Sequence, residues 1–186
     1  MKISNFKFSI SNTLAPLSII AFAVLLRLLP HPPNVAPIAA MALFGGCYLN
    51  KKYALAVPLF SMVVSDYFLG FHNTMLFVYG SFILTGLVGM WVKTHRSVPI
   101  IISAALFSSL LFFIITNFGV WLVTNMYPKT IDGLLQSYTM AIPFFRNTIF
   151  GDLLYTGLFF GSFAFIKNLL SLYRLKLVQS KAPKSV

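Results

Sequence analysis

The residues of this chain that can do chemistry are few, and they sit among apolar neighbours. Arg27, His31, Asn34, Asp66, His72, Asn117, Arg146, Asn147 and Asp152 lie inside or at the ends of long apolar runs, in a sequence with only three acidic side chains. An ionisable group in such a setting is costly unless it meets other polar groups, so it marks a binding site, an ion path or a buried pair. Two carboxylates, Asp66 and Asp152, with two guanidinium groups, Arg27 and Arg146, can grip a small polar or zwitterionic solute. The same four can instead neutralise one another, Asp66 with Arg27 and Asp152 with Arg146, as locks between helices.

The elements that position these groups follow from hydrophobicity. Of 186 residues, 58% are hydrophobic and 9% charged, which excludes a water-soluble globular domain. A bilayer core needs roughly 20 apolar residues per helical crossing. The apolar runs predict an all-α, polytopic membrane bundle of about six transmembrane helices, near 10–29, 35–49, 53–71, 75–92, 98–124 and 148–170. The run at 35–49 is short, opens with Pro37, and has the alternative of a re-entrant segment lining a cavity.

Charge separates those two readings, because cytoplasmic loops carry an excess of Lys and Arg. With six full spans and both termini cytoplasmic, eleven of the fourteen basic residues fall inside and Arg27, Lys129 and Arg146 fall outside. A re-entrant second segment would put Lys51 and Lys52 outside and weaken the bias, so six spans are favoured. The net charge of +11 then reads as orientation in a bacterial inner membrane, with no nucleic acid as partner. Residues 1–172 form the membrane domain and 173–186 a basic, disordered cytoplasmic tail. Lys2, Lys7 and the pair Ala21 and Ala23 resemble parts of a signal peptide, but the apolar run continues to Leu29 and favours a retained first span.

On this topology the candidate residues share one level. Arg27, His31 and Asn34 close span one, Asp66 and His72 close span three, Asn117 lies beyond the midpoint of span five, and Arg146, Asn147 and Asp152 open span six. All fall in or at the outer half of the bilayer, on at least four helices, as a substrate-binding pocket requires. The stretch from Tyr127 to Asn147, with Pro128, Gly133, Gln136 and Pro143, predicts an external loop with one or two interfacial turns, placed to act as a lid.

Other residue types say less. His31, His72 and Asp66 include metal-ligand types but no fixed ligand spacing, and the single Cys47 offers neither a disulfide nor a thiolate cluster, so no metal or cofactor is expected. His95 reads as a loop residue. Trp121 and Tyr155 are candidates to line a pocket for a flat solute, with ordinary packing as the simpler use. Ala36 with Ala40, Gly80, Gly86 and Gly89, and Gly157 with Gly161 form small-residue faces that favour close helix packing within the chain.

Several strings carry a resemblance. Arg27-Leu28-Leu29-Pro30-His31-Pro32-Pro33-Asn34, Leu43-Phe44-Gly45-Gly46, Ser65-Asp66, Gly70-Phe71-His72, Thr116-Asn117-Phe118-Gly119-Val120-Trp121 and Ile142-Pro143-Phe144-Phe145-Arg146-Asn147 resemble a family of bacterial membrane proteins described as transport proteins without an established substrate. More distantly the chain is similar to the substrate-binding S components of energy-coupling-factor (ECF) vitamin transporters. That resemblance implies a six-helix protein binding solute near the outer face and a transmembrane coupling protein with two ATPases as partners. The S components dock through an alanine pattern in their first helix, whereas Ala36 and Ala40 fall in the second span here. Their metal-uptake relatives carry a His directly after the initiating Met, where this chain has Lys2, which argues against cobalt or nickel.

Three functions compete. A transport protein binding a small polar solute needs no ATP site of its own, and no Gly-rich phosphate loop with a Lys occurs. A non-catalytic membrane scaffold would use the small-residue faces and keep the outer charges as locks. An intramembrane hydrolase would use Asp66 and Asp152 as a proton-sharing pair, but Ile149 and Phe150 before Gly151-Asp152 depart from the motif of that chemistry. The expectation is a transport protein, not an enzyme, in contact with membrane lipid.

Overall fold

The computed structural model describes residues 22, 24–30 and 32–180. Most of the expected first span, the signal-peptide question and His31 therefore lie outside the described residues, while 24–28 is helical. Five helices follow: α1 (Ile38–Tyr48), α2 (Lys51–Leu69), α3 (Met75–Val92), α4 (Val98–Val123) and α5 (Ile131–Ser180). Among the described residues there is no strand. Three stretches are long and apolar enough to cross a membrane: Met75–Val92, Val98–Val123 and Ile131–Phe165.

Packing is inverted relative to a water-soluble protein. The buried residues of α4 are Ala104, Ala105, Ser108, Ser109, Thr116 and Gly119, all small. Its exposed residues include Ile102, Leu106, Phe107, Leu110, Ile114, Phe118 and Leu122. Large apolar side chains facing outward over several turns would be untenable in water and suit hydrocarbon. The buried face of α4 instead relies on small side chains that let helix backbones come close.

The centre of the bundle is α1. Nine of its eleven residues are buried, and α2, α3, α4 and α5 all pack on it. At 1.5 Å per residue it is about 16 Å long, half of a hydrocarbon core of roughly 30 Å. The expected full span at 35–49 is thus a half-length helix preceded by irregular chain with a turn at Pro33 and Asn34. In the sequence Pro30-His31-Pro32-Pro33-Asn34-Val35-Ala36-Pro37, four of eight residues have no backbone N–H, so this irregular stretch carries few donors that burial would strand. Its turn is built for the purpose: the Val35 amide donates to the Pro32 carbonyl at 3.0 Å, and Asn34 takes the positive φ of 64° that Asn tolerates better than most residues.

The far end of α1 is held by small residues and a cation. A Cβ on Gly46 would collide with the Gly86 carbonyl, and one on Gly89 with the Leu43 carbonyl, so α1 and α3 cross with their backbones in contact. Arg96 donates to the Cys47 carbonyl at 3.1 Å and lies over the Tyr48 ring at 4.7 Å, supplying a positive charge where the helix ends.

The second difference concerns residues 127–147. The expected external loop is instead the first third of α5, and only the residues between Val123 and Ile131 connect α4 to it. Pro143 sits inside that helix without ending it. Neighbouring helix supplies the contacts that make this tolerable: Tyr138 donates to the Ile114 carbonyl at 2.9 Å, and Phe145 packs on Phe113 with ring centroids 4.5 Å apart. At the other end α5 runs through Ser180, so residues 173–180 are helical where a disordered tail is expected from composition. Leu172, Leu175, Leu177 and Val178 continue the apolar pattern of the helix there.

Two glycines separate crossing from open space. Gly89→Leu should overpack the α1–α3 contact and cost about 1–3 kcal/mol, whereas Gly157→Leu projects into open space and should leave stability unchanged. Thermal unfolding of both variants in the same detergent checks this, with a Tm loss of roughly 2–4 °C per kcal/mol expected for the first.

Candidate functional site

Because α1 fills only half the depth of the bundle, the half above its N-terminus is left to side chains and a cavity. That cavity has a volume of about 330 Å³. Its floor is the start of α1, where Ile38 and Ala39 face it and no side chain caps the helix. The first N–H groups of a helix have no intrahelical partner, so this end presents a partial positive charge to the cavity. Apolar walls come from Met62 and Leu69 of α2, Val78 and Phe82 of α3, and Phe112 of α4. Arg27, Asn34, His72, Thr148 and Asp152 supply the polar lining.

A second cavity of about 320 Å³ adjoins the first. The two share Asn34, Val78, Phe112 and Thr148 as common wall. Asn117, Ser137, Met126 and Tyr127 line the second, which lies toward the α4–α5 connection. Asn117 donates through Nδ2 to the Phe113 carbonyl at 2.8 Å.

Arg27 and Asp66 form one ion pair. The guanidinium Nη2 stands 2.7 Å from Asp66 Oδ1, with Arg27 15% and Asp66 1% exposed. Arg27 Nη1 also donates to Ser65 Oγ at 2.8 Å and to the Met62 sulfur. Tyr79 of α3 donates its hydroxyl to Asp66 Oδ2 at 2.6 Å. The carboxylate is therefore matched by one cation and one neutral donor, and the cluster ties the 24–28 turn, α2 and α3 together.

Asp152 is placed differently. It is 3% exposed, and Ser109 of α4 donates to its Oδ2 at 2.6 Å. The expected pair with Arg146 does not form, because six helical residues separate the two by about 240° around the axis. Arg146 is exposed and lines neither cavity, whereas Thr148, four residues before Asp152, lines the same wall. Among the described residues the only ion pair is Arg27 with Asp66.

Of the residues expected from sequence, Arg27, Asn34, His72 and Asp152 meet at the first cavity, and Asn117 joins them through the second. Asp66 holds Arg27 without lining either cavity. Asn147 donates Nδ2 to the Pro33 carbonyl at 3.1 Å and so positions the proline-rich turn. His72 is exposed at the rim, with Nδ1 2.8 Å from Thr74 Oγ1. His95 is an exposed loop residue stacked on Trp91. Trp121 donates to the Pro128 carbonyl at 2.9 Å and ties the α4–α5 connection, and neither it nor Tyr155 lines a cavity. No group of three or more metal-ligating side chains occurs among the described residues.

Sequence reasoning missed Tyr79, Ser109 and Thr148. Ser109 and Thr116 fall on one face of an otherwise apolar run at helical spacing, which was the available signal for a polar wall in α4. Tyr79 carried none, since a tyrosine near a span end is usually an interfacial anchor.

Among the described residues, fold and site together define an all-helical bundle of membrane type with a partly polar cavity between its helices. The chain belongs to a family of unknown function, DUF6580, whose family model matches residues 8–174. A search of the curated proteins and a search of the solved structures found no match. This membership fits the resemblance to a family without an established substrate and supplies no link to ECF S components.

The Arg27–Asp66 pair has a measurable signature. Arg27→Gln strands a buried carboxylate and should cost about 3–5 kcal/mol, whereas the double variant Arg27→Gln with Asp66→Asn should recover most of that loss. Chemical denaturation of the two variants beside the parent tests this coupling.

Proposed function

We propose that this protein is a membrane transport protein that binds a small polar solute in the cavity at the N-terminal end of α1. The observation that carries this reading is the coincidence of a half-length helix, an adjoining cavity and four candidate polar residues from different parts of the chain at one level. Discontinuous helices with an uncapped half-helix end at a polar cavity are how many transporters build solute sites near the middle of the membrane. A cavity of about 330 Å³ lies at the lower end of the range for small-molecule pockets.

Six crossings remain the best account of the topology: the segment before Arg27, the irregular proline-rich stretch joined to α1, then α2 to α5. Both termini and the connections carrying Lys51 and Lys93 then face the cytoplasm, and the cavities open to the opposite side. Binding, not hydrolysis, suits the two carboxylates. Paired-aspartate chemistry needs two carboxyl groups sharing a proton, whereas Asp66 is engaged by Arg27 and Tyr79 and Asp152 by Ser109.

Energy would come from an ion gradient or from a transmembrane coupling protein with ATPases. Such a partner would not dock on the Ala36 and Ala40 face, because Ala40 is buried at the heart of the bundle.

Purified protein should be screened for thermal stabilisation by vitamins, nucleobases and amino acids. At least one solute class should raise Tm, and Val78→Trp, at the wall common to both cavities, should abolish the effect while Phe107→Ala on the outer face leaves it. If no solute stabilises the parent and the wall variant behaves like the outer one, a scaffold role replaces this reading. In a Cys47→Ala background, single cysteines at Asn73 and Lys129 should label from outside intact cells, and cysteines at Lys51 and Lys93 only after permeabilisation.

A further inference from the structure

Among the described residues the charges around the first cavity do not balance, and the imbalance points to what belongs there. Arg27 is matched by Asp66 at 2.7 Å, so that pair contributes no net charge. His72 is exposed and hydrogen-bonded beside Thr74 at the rim. The N-terminus of α1 contributes roughly half a positive charge. Asp152 contributes a carboxylate that is 3% exposed, whose one described partner is the neutral hydroxyl of Ser109. Removing such a group from water without a full counter-charge is expensive, and intramembrane carboxylates normally have a partner.

We propose that the missing partner is the ammonium group of the solute, so that the substrate class is a small organic amine with an apolar body. This rests on the cavity being the solute site. Besides the oxygen that accepts from Ser109, Asp152 has the acceptor capacity of a carboxylate left for an ammonium donor. Thr148 stands one helical turn away on the same wall, and its hydroxyl, which donates to the Phe144 carbonyl at 3.0 Å, retains lone pairs that can accept. Asn34 contributes an amide oxygen at the same wall. The remaining lining suits the rest of such a molecule. Phe82 and Phe112 stack with centroids 5.4 Å apart and line the cavity together, offering apolar area and the ring faces that attract cations.

Phenethylammonium chloride is a suitable probe, with 2-phenylethanol and 3-phenylpropanoate as neutral and anionic counterparts of nearly the same shape. Full-length protein in nanodiscs should be stabilised by the ammonium compound and not by the other two. Asp152→Asn keeps an acceptor for Ser109 and removes the charge, and it should weaken phenethylammonium binding about ten- to a hundredfold. Asp152→Ser, which also removes the charge but keeps a small polar side chain, serves as the second variant should the first fail to fold, and the same loss of phenethylammonium binding is expected.

Equal stabilisation by the neutral or anionic compound, or undiminished binding to Asp152→Asn, would overturn the amine assignment while leaving the cavity as a solute site. Stabilisation of the parent by sodium chloride or by lowered pH alone, lost in Asp152→Asn and without any response to the ammonium compound, would overturn it in favour of an ion-coupling carboxylate. If none of the three compounds and no member of the wider solute panel stabilises the protein, the cavity reading falls together with the amine.

Discussion

At membrane depth a backbone N–H or C=O must find a partner inside the protein, and a helix that stops halfway is the hardest case. α1 is such a helix, and much of the bundle can be read as the means of enclosing it. Its lower end needs close approach on all sides, which Gly46, Gly86 and Gly89 provide, and a donor for its last carbonyls, which Arg96 provides. Its upper end is reached by chain in which proline has removed half the donors. What that economical lead-in cannot do is fill the space that another two or three helical turns would have occupied. The cavity is a direct geometric consequence of the break.

Asp66 and Asp152, both buried, show how setting divides identical side chains between roles. Asp66, near the end of α2, has a guanidinium on one oxygen and a phenol on the other. It joins three segments, and losing either charge would strand the other. Asp152, in the body of α5, has among the described residues a single hydroxyl donor, and a cavity in front of it. The first arrangement is closed and the second is incomplete. A reading that treats all buried charges as locks accounts for Asp66 and fails for Asp152, since its supposed partner Arg146 lies on another face of the same helix.

That failure shows where the sequence was legible. Uniform apolar runs bounded by basic residues or by Gly and Asn gave α3 with its boundaries and α2 and α4 within about two residues. Ala40, Gly86 and Gly89 correctly pointed to close packing inside the chain, whereas Gly80, Gly157 and Gly161 face open space. Residues 127–147 misled because Pro128, Gly133, Gln136 and Pro143 are turn signals in water, whereas between packed helices a proline such as Pro143 needs only neighbours to cover the freed carbonyl. Once that stretch is helical, Arg146 and Asp152 can no longer face the same way. The reading that placed both in one pocket had Arg146 at the end of a loop, free to turn toward the span that carries Asp152. The tail erred for the opposite reason, its charge outweighing the leucines that carry α5 to Ser180 in the composition.

A lid was expected from the loop before span six, and the helical start of α5 removes that candidate. In the proposed transport role, control of access passes to the proline-rich turn. Asn34 lines both cavities, stands at a positive φ, and is fixed by the Val35–Pro32 hydrogen bond on one side and by Asn147 holding the Pro33 carbonyl on the other. Behind it, Gly151 lets Val35 approach so closely that a Cβ there would come within 3.0 Å of the Val35 Cα. The turn therefore lies directly on α5, one residue from Asp152, and any movement that widens the passage between the cavities must also shift the wall that presents that carboxylate. In the proposed role gating and recognition would be joined through this one short contact, because the chamber and the turn at its mouth both follow from the half-length of α1.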